Sequence, residues 1–216
     1  QKGSLAERFL IPPFSVLTAR EGWWQDRKRG WLALGIKSEF GRGEKAGEGT
    51  GFLTINKWAE KNDVKDKAVK TLANEDAGGA SIFDPVVCEL VYSWFSPIEG
   101  VILDPFAGGS VRGIVASKLG RQYIGHELRA EQVAANQQQA AEICGDPMPV
   151  WICGDSRNID KTCSDVKADL VFSCPPYADL EVYSDDPNDL STLDYADFKK
   201  AYFEIIKKTC NQLKPD

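Results

Sequence analysis

The chain has 216 residues, is 43% apolar and carries a net charge of −6. That balance supports one ordinary buried core and excludes disordered, collagen-like and disulfide-scaffold proteins. No run approaches the roughly 18 apolar residues of a membrane helix, and the opening Gln1-Lys2-Gly3-Ser4 lacks the apolar stretch of a signal peptide, so a soluble, cytoplasmic protein with no membrane partner is expected.

The charge is uneven: residues 1–80 hold 14 Lys/Arg against 11 Asp/Glu, and residues 81–216 hold 12 against 21. An acidic chain does not hold nucleic acid by bulk charge, so a polyanion contact requires a local patch, best placed in the N-terminal third. The 6 cysteines form no Cys-x-x-Cys pair and read mostly as buried, reduced thiols. With His126 the only histidine, neither a metal site nor a Ser-His-Asp hydrolase is indicated.

Residues 1–40 contain Ile11-Pro12-Pro13-Phe14, Trp23-Trp24, the basic run Arg27-Lys28-Arg29 and Trp31. Aromatics interleaved with cations can grip a nucleic-acid backbone; the commoner arrangement buries the tryptophans and leaves the basic run on a solvated turn. Gly41 to Gly51 is too glycine-rich to pack, and residues 55–73 form a weakly amphipathic helix that Ala77-Gly78-Gly79 ends. Residues 1–80 thus read as an N-terminal segment, a candidate DNA-contacting extension, before a core over 81–216.

From Ser81 onward strands and helices alternate, which predicts an α/β fold with a mostly parallel sheet covered on both faces. Asp84-Pro85 starts a helix carrying Val86, Val87, Leu90, Val91 and Phe95. A strand over 101–103, a helix over 111–119 ended by Gly120, a strand at Tyr123-Ile124 and a helix over about 129–143 follow. Strands over 150–153 and 170–172 come next, then a helix over about 196–211 that buries Phe198, Tyr202, Ile205 and Ile206. Leu213-Lys214-Pro215-Asp216 reads as a turn before another strand, so the sheet is expected to be incomplete in this chain.

Three strand ends carry candidate ligand groups. Asp104-Pro105-Phe106-Ala107-Gly108-Gly109-Ser110 is a strand-to-helix turn of small residues, which lets a ligand approach the backbone and a helix N-terminus. Glu127, followed by Leu128, lies past the second strand, about where a carboxylate accepts ribose hydroxyls in doubly wound folds. Asp155-Ser156 follows the third strand, where Asp155 can accept from an adenine amine. Each carboxylate alone suits a cap or turn; together they suit an adenosine-shaped ligand. After the fourth strand comes Ser173-Cys174-Pro175-Pro176-Tyr177. Two prolines end the strand rigidly and leave carbonyls pointing out of it, and a carbonyl followed by an aromatic ring suits a flipped base with an exocyclic amine.

In these motifs the chain resembles the amino-directed (N6-adenine or N4-cytosine) DNA methyltransferases, with Asp104 to Ser110 like motif I, Glu127 like motif II, Asp155 like motif III and Cys174 to Tyr177 like motif IV. Phe83-Asp84-Pro85, within Ser81 to Pro85, resembles motif X, whose helix lies by the methionine part of the cofactor. Within that family the sequence looks most like phage or prophage enzymes of DNA modification, such as serve restriction-modification. The resemblance implies a Rossmann-like fold, S-adenosylmethionine (S-adenosyl-L-methionine) as cofactor and double-stranded DNA as partner, in a bacterial cell or phage-infected host.

Two departures stand out: Gly108-Gly109-Ser110 replaces the usual Gly-x-Gly, and Cys174 replaces the Asp, Asn or Ser before Pro-Pro. A thiol is a poor partner for an amine, so Ser173 or main-chain groups are expected to take over. The acidic loop 178–193 reads as solvated, with a lid or a homodimer contact as the alternatives. The rival functions are C5-cytosine methylation with Cys174 as nucleophile, RNA or protein methylation, and a cofactor-binding subunit without catalysis.

Overall fold

The computed structural model describes residues 10, 17–20, 22–37, 83–177 and 183–215. The glycine-rich stretch 41–51, the helix expected over 55–73, Ile11 to Phe14, Ser81-Ile82 and the first part of the acidic loop, 178–182, lie outside the described residues.

Four strands, β1 (Val101–Asp104), β2 (Gln122–Glu127), β3 (Val150–Cys153) and β4 (Leu170–Val171), form one sheet in the order β3-β2-β1-β4. All three pairings are parallel, with Leu103 opposite both Ile124 and Val171. Parallel neighbours need crossovers, and helices supply them. The described helices are α1 (Gly22–Leu32), α2 (Pro85–Phe95), α3 (Val111–Lys118), α4 (Ala130–Ile143), the short α5 (Ile159–Thr162) and α6 (Tyr195–Cys210).

The two-residue period of the strands sorts their side chains onto two faces. Ile102, Tyr123 and Trp151 join Val111, Ile114, Val115, Val133 and Ala140 in one cluster, under α2, α3 and α4. Leu103, Ile124, Ile152 and Val171 join Ile159 and Cys163 on the other face. The fold is therefore the expected α/β arrangement with both faces covered. At Gly113 a Cβ would lie 2.5 Å from Trp151 Cζ2, so only glycine lets α3 lie this close to β3.

The structure revises several local expectations. β2 runs to Glu127, so that carboxylate is the strand's last residue rather than one beyond it. Of the cysteines only Cys88 and Cys163 are buried; Cys144 and Cys174 are half-buried, and Cys153 and Cys210 are exposed. Four thiols sit at element ends or in loops, where packing does not enclose them. On α6 the fully buried positions are Ala201, Ile205 and Thr209, while Phe198, Tyr202 and Ile206 are half-buried.

The basic run is helical, not a solvated turn. Trp24 is buried in a cluster with Val86 and Leu90, and its Nε1 donates to Asp84 Oδ2 at 3.0 Å. Arg27 pairs with Glu89, which also accepts from Trp31 Nε1 at 2.9 Å; Lys28 lies 3.7 Å from Asp84, and Arg29 pairs with Asp26. Asp84 at the same time caps α2 by accepting from Val86 N, with Pro85 opening the helix. After α6, Leu213 pairs in parallel with Ala168, so the chain returns beside β4. No helix among the described residues is long and apolar enough to cross a membrane.

Candidate active site

The strand order places the site. From β1 the chain steps outward through β2 to β3, then crosses back to β4 on the other side of β1. Connections therefore leave β1 and β4 in opposite directions, and beyond the carboxyl ends at such a switch point open α/β sheets bind ligands. The residues after β1 are the glycine loop 105–110, and those after β4 are Ser173 to Tyr177.

Asp104 joins the two segments. It is fully buried, and its carboxylate accepts four hydrogen bonds: Oδ1 from Phe106 N (3.0 Å) and the Ser173 hydroxyl, Oδ2 from Arg112 Nε (2.6 Å) and the Tyr123 hydroxyl (2.7 Å). Four bonds exhaust the acceptor capacity of a carboxylate, so Asp104 acts as the anchor of the turn. Burial works against the Arg112 charge, but the adjacent Asp104 outweighs it and holds the guanidinium above its ordinary value. Burial pushes the Tyr123 hydroxyl well above the tyrosine range, keeping it a proton donor.

The rest of the glycine loop is held group by group. Arg112 Nη2 donates to the carbonyls of Phe106 and Ala107 at 2.6 and 2.8 Å, with its guanidinium 4.6 Å from the Phe83 ring centroid. Ala107 N donates to His126 O, and the Ser156 hydroxyl donates to Pro105 O. Glu127 Oε2 accepts from Gly108 N at 2.9 Å and Oε1 from Arg129 N at 3.0 Å, while Asn136 Nδ2 donates to Gly108 O at 2.7 Å. Burial raises the Glu127 carboxyl above its ordinary value, and the Arg129 and Gly108 N–H groups work against that rise. Gly108 has φ +50°, and its Cβ position has nothing within 4 Å, so the turn is a shaped backbone with open space above it. Gly109 is half-exposed, and Ser110 is buried at the start of α3, its hydroxyl 3.3 Å from Gln139 Oε1.

Asp155 caps the turn over Ser156–Asn158 and is taken up by Arg157, accepting from its N at 2.8 Å and its Nε at 2.7 Å. Arg157 Nη2 reaches Asn188 Oδ1 at 2.7 Å. Leu128 lies half-buried at the turn after β2. The described part of the acidic loop is folded rather than simply solvated: Asp189 is buried and accepts from Ser191 N, the Ser191 hydroxyl and the Ser184 hydroxyl.

Beyond β4, Cys174, Pro175 and Pro176 are half-buried and Tyr177 is 53% exposed. Cys174 Sγ lies 3.5 Å from the Tyr177 hydroxyl. Phe106 of the glycine loop stacks on Tyr202 (6.0 Å, 21°), which stacks on Phe198 (5.8 Å, 5°). Phe83 and Pro85 lie at the entry to α2, with Phe83 edge-on to Phe172 at 5.6 Å.

The structure thus assembles Asp104 to Ser110, Glu127 and Ser173 in one bonded cluster, with Cys174 to Tyr177 continuing from it. Phe83 joins through Arg112, and Ser156 through Pro105. Sequence reasoning missed Arg112, Tyr123 and Asn136. Gln132, Asn136 and Gln139 share the spacing of α4's buried face with Val133 and Ala140, a signal of buried amides that could have been read. Among the described residues no cluster of His, Cys, Asp or Glu fit to hold a metal was found.

Residues 87–138, from α2 through the glycine loop and β2 into α4, match the family model described as DNA methylase, which supports a methyltransferase. No curated protein matches. Among solved structures the chain is similar to a TehB-like SAM-dependent methyltransferase from Corynebacterium glutamicum, at 18% identity and a TM-score of 0.36, covering 71% of this chain and 83% of that one.

Proposed function

We propose that this protein transfers a methyl group from S-adenosylmethionine to an exocyclic amine, N6 of adenine or N4 of cytosine, of a base flipped out of DNA. The observation that carries the reading is the Ser173 hydroxyl bonded to Asp104 and to Phe106 N. It binds the Pro-Pro-Tyr segment to the glycine turn at the point where the strand order reverses. A donor site and an acceptor site for one small group must lie side by side, and these two segments do.

The residues present fit the cofactor. The open space over Gly108 admits a ligand against the backbone, Glu127 borders it as a carboxylate acceptor, and Asp155-Ser156 with Leu128 lie at the ends of the neighbouring strands. Phe83, at the entry to the Asp84-Pro85 start of α2, lies under the loop through Arg112. When bound, S-adenosylmethionine would supply an electrophilic sulfonium methyl: the S–CH3 bond breaks as the amine nitrogen forms N–CH3, the cofactor is left as its thioether, and the nitrogen's proton passes to solvent water.

This chain's own residues orient the amine. The Pro175 carbonyl accepts one amine hydrogen, which draws the nitrogen lone pair out of conjugation with the ring. Tyr177 stacks on the base, and Pro175-Pro176 fix the spacing between the two. Cys174, beside the Tyr177 hydroxyl, is a weak hydrogen-bond partner and leaves orientation of the amine to the main chain.

The test is nucleoside mass spectrometry of DNA from cells expressing the protein or its Tyr177→Ala variant. N6-methyladenine or N4-methylcytosine, lost in the variant, is the expected result. A rise in 5-methylcytosine alone would make Cys174 a nucleophile, and unmodified DNA with retained binding of S-adenosylhomocysteine would move the substrate to RNA or the role to a non-catalytic subunit.

A further inference from the structure

We infer that Ser173 is a positioning residue that couples the base-holding segment to the cofactor loop through Asp104, without itself touching the base; this deepens the proposed function and rests on it. The sequence alone admits Ser173 as a direct partner of the amine, standing in for the weak thiol of Cys174. Its geometry assigns it elsewhere. The hydroxyl has one proton, which goes to Asp104 Oδ1, and its oxygen accepts from Phe106 N at 3.1 Å. Both bonds point into the fold, and Asp104 is itself immobilised by Arg112 and Tyr123, which are 4% and 1% exposed.

The chain has three parallel ties at this point. Arg112 fixes the carbonyls of the glycine loop, Asp104 fixes the Phe106 amide, and Ser173 shares both the Asp104 carboxylate and that amide. The Pro175 carbonyl and the Tyr177 ring lie two and four residues beyond this hydroxyl, which fixes where their segment starts. β4 is too short to do this alone: its ladder ends at Val171, and among the described residues the Phe172 N bond to Leu103 O is the last backbone tie of the strand. Pro175 and Pro176 have no N–H with which to add another.

The experiment compares Ser173→Ala, Ser173→Thr and the unaltered protein by amide hydrogen exchange without ligand, and by methyl-transfer kinetics with S-adenosylhomocysteine affinity measured separately. In Ser173→Ala, peptides reporting the Phe106 and Phe172 amides exchange about tenfold faster while those of α2 and α4 do not change. The turnover number falls by about 100-fold, the scale of a misplacement near one ångström, with affinity for S-adenosylhomocysteine within about twofold. Ser173→Thr, which keeps the hydroxyl, restores both. Unchanged exchange at Phe106 and Phe172, faster exchange spread over the whole domain, or a loss that threonine does not restore overturns the coupling role. If the unaltered protein neither methylates DNA nor binds S-adenosylhomocysteine, the proposed function fails, while the exchange arm still decides whether Ser173 positions the segment.

Discussion

Replacing Arg112 with Met tests how much the fold depends on the anchor beneath the glycine loop. The guanidinium is 4% exposed, faces a fully buried Asp104 at 2.6 Å, and donates to two loop carbonyls at 2.6 and 2.8 Å. Methionine keeps most of the stem's volume but removes every donor, leaving a buried carboxylate without its counter-charge. Breaking such a pair from one side costs about 3–5 kcal/mol. For a chain of this length each kcal/mol moves the midpoint by about 2–4 °C, so Tm falls by about 6–20 °C. The origin of the loss is separable by a double-mutant cycle with Asp104→Asn. Once the carboxylate is gone, Arg112→Met removes less, and the double variant is more stable than the sum of the single losses. Urea and thermal denaturation followed by circular dichroism read all four corners. A loss below about 1 kcal/mol for Arg112→Met, or strict additivity, would refute the view that this buried pair holds the turn.

Three further outcomes follow from the geometry. Thiol titration of the folded protein should show Cys153 and Cys210 reacting first and Cys144 and Cys174 more slowly, with Cys88 and Cys163, whose thiols burial pushes up, reacting only in denaturant; six rapid thiols without denaturant would contradict the packing. Burial lowers His126 below its ordinary value of 6.5, so the unfolded chain binds the proton more readily, and this residue's contribution to stability is present above that pH and lost as pH falls below it. NMR titration of the single histidine should give a midpoint under 6.5, and a midpoint at or above that value would refute the burial argument. Gly113→Ala should destabilise by about 1–3 kcal/mol in a denaturant melt despite alanine's better helix propensity, because its Cβ would press on Trp151; a stabilised variant would show that α3 can shift.

Much of the architecture is legible where local signals are complete. Val101-Ile102-Leu103 is an apolar run closed by a turn, and Asp84-Pro85 is a cap followed by a first-turn proline, so both elements begin where the residues say. β2 reads short because Gln122, Gly125 and His126 interrupt its apolar run, yet its pairing with β3 continues to Glu127 and Cys153. Tertiary pairing supplies what local hydrophobicity lacks there. In the site, sequence position shows that Asp104 and Ser173 lie at neighbouring strand ends, but not what their side chains do. Asp104 reads as a ligand carboxylate because Arg112, Tyr123 and Ser173, which satisfy it, come from three different elements. For Asp155, likewise, the Arg157 partner becomes visible only in the fold.

The dependence of α2 on α1 separates the unit that folds from the unit that carries the motifs. The numbered motifs all begin at Ser81 or later, which invites a cut just before it. Yet Asp84 and Glu89 take hydrogen bonds from Trp24, Arg27 and Trp31, and Val86 and Leu90 are covered by Trp24. A chain trimmed at that boundary would expose this apolar strip and strand a carboxylate that is 3% exposed, with α2 itself pressed against α3 and the Arg112 anchor. Residues 22–37 therefore belong to the smallest piece worth expressing, and grafting or minimising the core should treat them as its outer wall.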